Sequence, residues 1–219
     1  MVVHSSYEEG SFNRRGMGAV LDTQKTIQFC GDSFCESTKD VSYLTILSNK
    51  LNTKIECVGV AGAAYERALQ SCNPNIDYTV FCWTEPQRLY HPIYAINYAT
   101  AKARQDEHIR HKAAHLYYEH VHNTTWFTDR QFRDLYWFDK EVLSKSNSKI
   151  IHCFGFENSY SFDNGYTMSK PIRQVFRIGL NMSVASGEQK GYYNHLTIEH
   201  NKLFADYLYK KFTDKLLFA

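Results

Sequence analysis

The sequence lacks a charge imbalance, a long hydrophobic run and a cysteine motif, any of which would point to a particular class of protein. Its 25 Lys and Arg stand against 23 Asp and Glu, so the formal net charge is only +2. This balance gives no reason to expect nucleic acid or an acidic membrane surface as the main partner. No run of 18 apolar residues occurs in the chain, so no transmembrane helix is predicted.

The first residues also lack a targeting signature. No apolar segment follows a basic start in residues 1–24, so no secretory signal is expected, and we predict a loosely held arm there. The six cysteines form no CxxC pair, and four of them fall within or at the end of predicted strands. Buried free thiols in a reducing, cytoplasmic compartment therefore fit better than a disulfide framework. With 43% hydrophobic residues in the chain, we expect residues 25–219 to form a single domain.

Short apolar runs alternate with stretches of helical periodicity along that domain. Strands are predicted at residues 26–30, 54–60, 76–83 and 149–154, with a shorter one at 174–180. Helices are predicted at 42–52, 63–72, within 92–122, at 129–146 and at 197–212. Strands separated by helices favour right-handed βαβ units. The sequence therefore predicts an α/β fold with a parallel sheet that helices cover on both faces.

Residues able to do chemistry follow three of these strands. Ser33, Gly62 and Thr84 each come just after a predicted strand end. Ligands of such sheets bind at the carboxyl ends of the strands, so we expect these residues to lie along one edge. His195, directly before the last helix, is a candidate for the same edge.

A serine at such an edge becomes a useful nucleophile only with a base and with donors for the oxyanion. Ser33 stands at a turn from strand to helix, where its own N–H can point at a developing negative charge. Gly62 offers a second N–H with no side chain in the way. His195 is the candidate base.

These stretches resemble the SGNH, or GDSL, hydrolase family. "FCGDSFCES" (29–37) is similar to block I, "VGVAGAAYE" (58–66) to block II and "NHLTIEHNKLFADYL" (194–208) to block V, and the resemblance spans residues 26–212 in the expected order. It implies a flavodoxin-like three-layer α/β/α fold and serine esterase chemistry without a cofactor or a metal. Ser33 would attack an ester or O-acetyl carbonyl of a small molecule or glycan. His195 would be the general base, and the Ser33 and Gly62 N–H groups would hold the oxyanion.

The chain departs from the family pattern at two places. Block III normally supplies an Asn after the third strand, whereas "FCWTEPQRLY" (81–90) has Pro86 there, so Thr84 or Arg88 would have to donate instead. Similar Trp-Thr…Arg stretches occur in SGNH-like proteins of phages. The family's Asp-x-x-His pattern is also absent, because Tyr192 stands three residues before His195. Asn194 would then help to orient the imidazole.

Other interpretations use the same residues. Asp32 and Ser33 can simply cap a helix, and Asp32 is in any case expected to orient the turn. Arg88 and Glu85 are by default an exposed loop pair of little energetic weight. A non-catalytic SGNH-like module for binding or structure, for example in a virus particle, is the alternative function. A phosphate- or nucleotide-binding flavodoxin-like domain is weaker, because no Gly-rich loop has the required spacing.

Four histidines fall on one face of the helical stretch 92–122: His108, His111, His115 and His122. Adjacent turns could bring His111 and His115 onto a metal ion. The His-Glu-x-x-His pattern is absent, however, and Arg110 and Lys112 add positive charge nearby. We therefore expect a solvated or inter-helix face without a metal, or an oligomer contact that loosens when the imidazoles become charged.

Overall fold

The computed structural model describes residues 24–36, 41–91, 93, 96–157, 160–176 and 196–218. The strands are Thr26–Gly31 (β1), Lys54–Cys57 (β2), Tyr78–Trp83 (β3), Lys149–Phe154 (β4) and Tyr166–Thr167 (β5). The α-helices are Tyr43–Leu51 (α1), Tyr65–Ser71 (α2), Tyr98–Ala103 (α3), Ile109–His120 (α4), Thr124–Glu141 (α5), Ile172–Val175 (α6) and Ile198–Thr213 (α7). Short 3₁₀ turns cover Ser33–Cys35 and Leu143–Lys145. The arm predicted for residues 1–24 lies, apart from Gln24, outside these ranges.

The five strands form one sheet in the order β2-β1-β3-β4-β5, and every neighbouring pair is parallel. This is the order of flavodoxin-like doubly wound folds, so the predicted α/β fold is confirmed. The order reverses between β1 and β3, and a crevice for ligands is expected outside the carboxyl ends of these two strands. Within the described residues, no helix is long and apolar enough to cross a membrane.

Helices cover both faces of the sheet, so the fold has three layers. Alternate side chains of β1 point to opposite faces, so Ile27 and Phe29 join one apolar cluster while Cys30 joins another. The first cluster includes Leu47 of α1 and Phe204 of α7. The second cluster includes residues of α2 and α5. Because both faces are covered, the central strands are apolar almost without interruption.

Several polar side chains are fully buried, among them Gln131, Asp139 and His152. His152 of β4 is completely buried and stacks on Phe162, with ring centroids 3.5 Å apart. Its Nδ1 accepts a hydrogen bond from Trp83 Nε1 at 3.1 Å, and its Nε2 lies 2.9 Å from the Asn164 carbonyl oxygen. An imidazole that accepts at Nδ1 carries its proton at Nε2 and donates it to that carbonyl. Burial lowers the pKa of His152 to about 3.

Several predicted boundaries are wrong. The second strand ends at Cys57 rather than residue 60. The helix predicted at 129–146 starts earlier, because the Asn123 side chain accepts a hydrogen bond from the Trp126 N–H at 2.9 Å and caps α5. The short strand predicted at 174–180 is helical at its start, since α6 covers Gln174 and Val175, and residues 177–180 lie outside the described ranges.

The described residues of the stretch 92–122 include a pair of helices, α3 and α4, between β3 and α5. Asn97 caps α3 and His108 caps α4, so the predicted helical stretch is divided in two. Ile96, Ala101 and Ala114 form a small apolar cluster inside the pair. The Tyr118 hydroxyl donates to the Gln87 carbonyl oxygen at 2.9 Å. The pair is therefore fixed to the loop that follows β3.

Candidate active site

The turn after β1 is built by Asp32. Its Oδ1 accepts a hydrogen bond from the Phe34 N–H at 3.1 Å, and its carbonyl oxygen accepts one from the Cys35 N–H at 2.8 Å. The cap of the 3₁₀ turn is thus Asp32, and Ser33 is the first residue inside the turn. Asp32 is only 2% exposed, whereas Ser33 is half-buried. The serine therefore lies at the carboxyl end of β1 with part of its surface open to solvent.

The loop after β2 packs directly against this turn. The Gly59 N–H donates to the Cys35 carbonyl oxygen at 2.8 Å, and the Val60 N–H donates to the Gly31 carbonyl oxygen at 3.2 Å. A Cβ on Gly59 would lie 2.5 Å from that same Gly31 oxygen, so only glycine permits the approach. Gly62 follows in the left-handed region, with φ +68°. Gly59 was not among the predicted site residues; its place in "VGVAG" after a strand was the available signal.

A buried arginine joins the loops at this edge. Arg88 Nη1 lies 2.9 Å from Asp32 Oδ2 as an ion pair and donates to the Ala63 carbonyl oxygen at 3.3 Å. Its guanidinium also lies over the Phe156 ring, 5.8 Å from the centroid. Arg88 follows β3, and its partners follow β1, β2 and β4. One side chain therefore holds four loops together.

The expectation of an exposed Arg88–Glu85 pair is wrong in its main feature. Arg88 is only 8% exposed, and its nearest carboxylate is that of Asp32. Glu85 Oε2 lies 3.8 Å from Arg88 Nε, with 43% of the glutamate side chain exposed. Burial makes the Asp32–Arg88 pair far more consequential than a surface pair, because loss of either partner would leave the other charge unpaired inside the protein.

Thr84 lies at the carboxyl end of β3 and is 5% exposed. Its carbonyl oxygen accepts a hydrogen bond from Gln131 Nε2 at 2.9 Å. Its hydroxyl oxygen is buried and makes no hydrogen bond within the described residues. A buried hydroxyl without a partner is uncommon in a folded protein and calls for an explanation.

The proposed base lies outside the described residues, as do Asn194 and Tyr192. The described chain resumes at Leu196, and Thr197 caps α7 by accepting a hydrogen bond from the His200 N–H at 3.1 Å. One turn into α7, the Asn201 Oδ1 accepts a hydrogen bond from the N–H of Tyr43, the first residue of α1. Since α1 begins where the chain leaves β1, α7 starts at the same edge of the sheet as Ser33.

Of the four histidines of the stretch 92–122, His108 and His111 are neighbours, with ring centroids 6.3 Å apart. His108 Nδ1 caps α4 by accepting the Arg110 N–H at 3.1 Å. His115 is 7% exposed and its Nε2 lies 3.3 Å from Glu119 Oε1. His122 stacks on Phe127, and burial lowers its pKa. Among the residues that the structure describes, no group of three or more His, Cys, Asp or Glu side chains could hold a metal ion.

The chain has no detectable similarity in sequence to known proteins and a weak similarity in structure. No protein-family model matches the chain, and no curated protein matches it in sequence. One solved structure that it resembles is that of a carbohydrate esterase whose active site displays divergent catalytic and non-catalytic binding functions. That likeness has a TM-score of 0.43 at 11% identity, and it covers 89% of this chain and 70% of the other. A likeness of this size says nothing about which groups react.

Proposed function

We propose that the protein is a serine ester hydrolase of the SGNH type that cleaves an ester or O-acetyl group. The observation that carries the proposal is the meeting of three loops at the switch point of the sheet. The Ser33 turn, the Gly62 loop and the Thr84–Arg88 loop are held there by the buried Asp32–Arg88 pair. A rigid support of this kind is what a nucleophile and its oxyanion donors need.

In the proposed reaction, Ser33 Oγ forms a bond to the carbonyl carbon while His195 accepts the hydroxyl proton. The imidazolium then gives that proton to the departing alcohol, and the ester C–O bond breaks. Water, deprotonated by His195, attacks the acyl-enzyme, releases the acid and restores the serine hydroxyl. With Tyr192 in place of the usual Asp, Asn194 has the task of orienting the ring.

The negative charge that develops on the carbonyl oxygen needs donors. The backbone N–H groups of Ser33 and Gly62 are the first two. The hydroxyl of Thr84, which has no hydrogen-bond partner among the described residues, is the third, and it replaces the Asn that the SGNH pattern would place at Pro86. One donor of this type contributes roughly 3 kcal/mol to the transition state.

Arg88 has a positioning role in this proposal, rather than donating to the oxyanion. Its Nη1 already serves Asp32 and Ala63. The carboxylate of Asp32 directly precedes the nucleophile and would repel the developing oxyanion. The guanidinium offsets that charge and fixes the turn at the same time.

The test is hydrolysis of p-nitrophenyl acetate and butyrate by the protein and its Ser33→Ala and His195→Ala variants. Activity lost in both variants and kept in His120→Ala, which changes an exposed histidine of α4, is the expected result. Activity that survives both substitutions would overturn the proposed dyad.

The second candidate is a non-catalytic SGNH-like module for binding or structure, for example in a virus particle. Pro86 and Tyr192 favour it, because each stands where the family pattern has a catalytic residue. It predicts no ester hydrolysis and no labelling of Ser33 by a fluorophosphonate, with the fold unchanged.

A further inference from the structure

The half-buried thiol of Cys72 lies where α2 ends against β1. Gln28 of β1 holds this end of the helix in place. Its Nε2 donates to the Asn73 carbonyl oxygen at 2.7 Å, and its Oε1 accepts a hydrogen bond from the Asn73 N–H at 2.9 Å. The same nitrogen lies 3.7 Å from the Cys72 sulfur, within reach of a weak hydrogen bond. Because Gln28 is only 1% exposed, Cys72 has a fixed position beside the strand.

Cys30 faces Cys72 from β1. Alternate residues of a strand point to the same face, so Cys30 shares the face of Gln28. Cys30 belongs to the apolar cluster against which Cys72 packs. The Cys30 thiol also donates a hydrogen bond to the Cys72 sulfur. A fully buried thiol therefore lies directly behind a half-buried one.

This contact makes the two thiols unequal. The hydrogen bond from Cys30, with a smaller contribution from Gln28, lowers the pKa of Cys72, although burial opposes the shift. The same hydrogen bond, together with burial, raises the pKa of Cys30. Cys72 is therefore the thiol of the pair that ionises first, and the thiolate is the form that reacts with oxidants.

Cys57 provides a comparison within the same region. It is half-buried like Cys72, and it lies close enough for the two thiols to interact electrostatically. Its own thiol donates to the Val58 carbonyl oxygen at 3.6 Å, and burial raises its pKa. Partial exposure alone thus does not produce a reactive thiol, whereas the donors around Cys72 favour its ionised form.

The other three cysteines are protected from solvent. Cys35 and Cys153 are 0% exposed and Cys82 is 1% exposed. An oxidant in solution does not reach these sulfur atoms, however acidic their thiols. Cys30 is equally buried, but its neighbour Cys72 can carry the reaction to it.

We propose that Cys72 and Cys30 form a redox-active dithiol, which a hydroperoxide oxidises to a disulfide. The Cys72 thiolate attacks one peroxide oxygen and the O–O bond breaks. The products are a sulfenic acid on Cys72 and, from hydrogen peroxide, a hydroxide ion. Cys30 sulfur then attacks Cys72 sulfur, the S–O bond breaks, and the Cys30 proton leaves with the hydroxyl group as water.

The electrons balance in this sequence, because each sulfur loses one and the peroxide gains two. In a reducing compartment, a thiol such as glutathione would reverse the reaction, so that the disulfide is transient, as redox-sensing disulfides of such compartments are. The proposal does not depend on ester hydrolysis.

Peptide mass spectrometry of the full chain after treatment with hydrogen peroxide tests the proposal. The expected product is lighter than the reduced protein by about 2 Da, the mass of two hydrogen atoms. Trypsin should release peptide 26–39 linked to peptide 68–88. Each of these peptides holds a second cysteine, Cys35 or Cys82, so fragment ions must assign the bond to Cys30 and Cys72. Dithiothreitol should restore both thiols.

Three variants separate the steps. Cys30→Ala should stop at the sulfenic acid of Cys72, which dimedone labels, and Cys72→Ala should form no disulfide. Cys57→Ala is the matched control, since it removes the other half-buried thiol, and it should form the disulfide as the wild type does.

A second measurement needs no substitution. Iodoacetamide at neutral pH should alkylate Cys72 of the untreated wild type at least about tenfold faster than Cys57, because more of Cys72 is thiolate. Equal alkylation rates for the two cysteines would overturn the proposal. So would a peroxide-treated wild type that keeps every thiol, or a disulfide that joins Cys72 to Cys57. Because no ester is present, these results are separate from the outcome of the hydrolysis assay.

Discussion

Replacing Arg88 by methionine would remove the cation that holds the loops around Ser33. Methionine has a similar length and can fill the space against Phe156, so the main loss is electrostatic. Asp32 would remain 2% exposed or nearly so, with its carboxylate facing no positive charge. Breaking a buried pair in this way typically costs about 3–5 kcal/mol, and we expect the free energy of unfolding to fall by that amount near neutral pH.

A second substitution identifies the charge that Arg88 compensates. Asp32→Asn in the same chain should recover a large part of the lost stability, because asparagine also caps turns and carries no charge. Urea unfolding followed by tryptophan fluorescence measures all four proteins of this double-mutant cycle.

Two results would refute this reasoning. One is a loss below about 1 kcal/mol in Arg88→Met, which is the range of a surface pair. The other is a double variant that is less stable than Arg88→Met alone, because the carboxylate would then not be the group that suffers from the missing arginine.

Three further predictions concern single residues. Thr84→Val should lower kcat about 100-fold with little change in KM, and its stability should stay equal or rise, because a buried hydroxyl with no partner among the described residues is removed. Thr84→Ser should retain activity. Equal kcat values for the wild type and both variants would contradict the role of the hydroxyl. Gly59→Ala should lower the free energy of unfolding in urea by about 1–3 kcal/mol, whereas Gly155→Ala, whose Cβ would lie 3.3 Å from the nearest atom, should be tolerated. Similar losses of stability in the two variants would contradict the close approach at Gly59. The wild type should lose about 2 kcal/mol of stability between pH 6.5 and 5 through His152, since the unfolded imidazole binds a proton near pH 6.5 and the folded one only near pH 3. His152→Phe should be less stable at neutral pH and should not show the loss of stability between pH 6.5 and 5. An unchanged dependence of stability on pH in this variant would contradict the attribution of that loss to His152.

Much of the fold is readable from the sequence. The apolar runs ending before Asp32, at Trp83 and at Phe154 correspond to β1, β3 and β4, because strands covered on both faces carry few polar residues. Periodicity at 3.6 residues identified α1 and α7, because each of these helices buries one face against the core. The start of the strand predicted at 174–180 is helical instead, since a short apolar run has no period to distinguish strand from helix.

The site was readable only in part. Strand ends predicted that Ser33, Gly62 and Thr84 lie at one edge, and the parallel sheet places all three loops there. The Asp32–Arg88 pair depends on β1 and β3 being neighbours, and the order of strands is not written in any local pattern. The orphan hydroxyl of Thr84 likewise depends on tertiary packing. The role of His195 stays a prediction.

Labelling by a fluorophosphonate, read by mass spectrometry of the intact protein and of its peptides, tests the central claim most directly. The account predicts one adduct, on Ser33, that forms faster than on any other serine and disappears in His195→Ala while remaining in His120→Ala. A folded protein that gives no adduct on Ser33, or one that His195→Ala leaves unchanged, would contradict a serine nucleophile activated by this histidine.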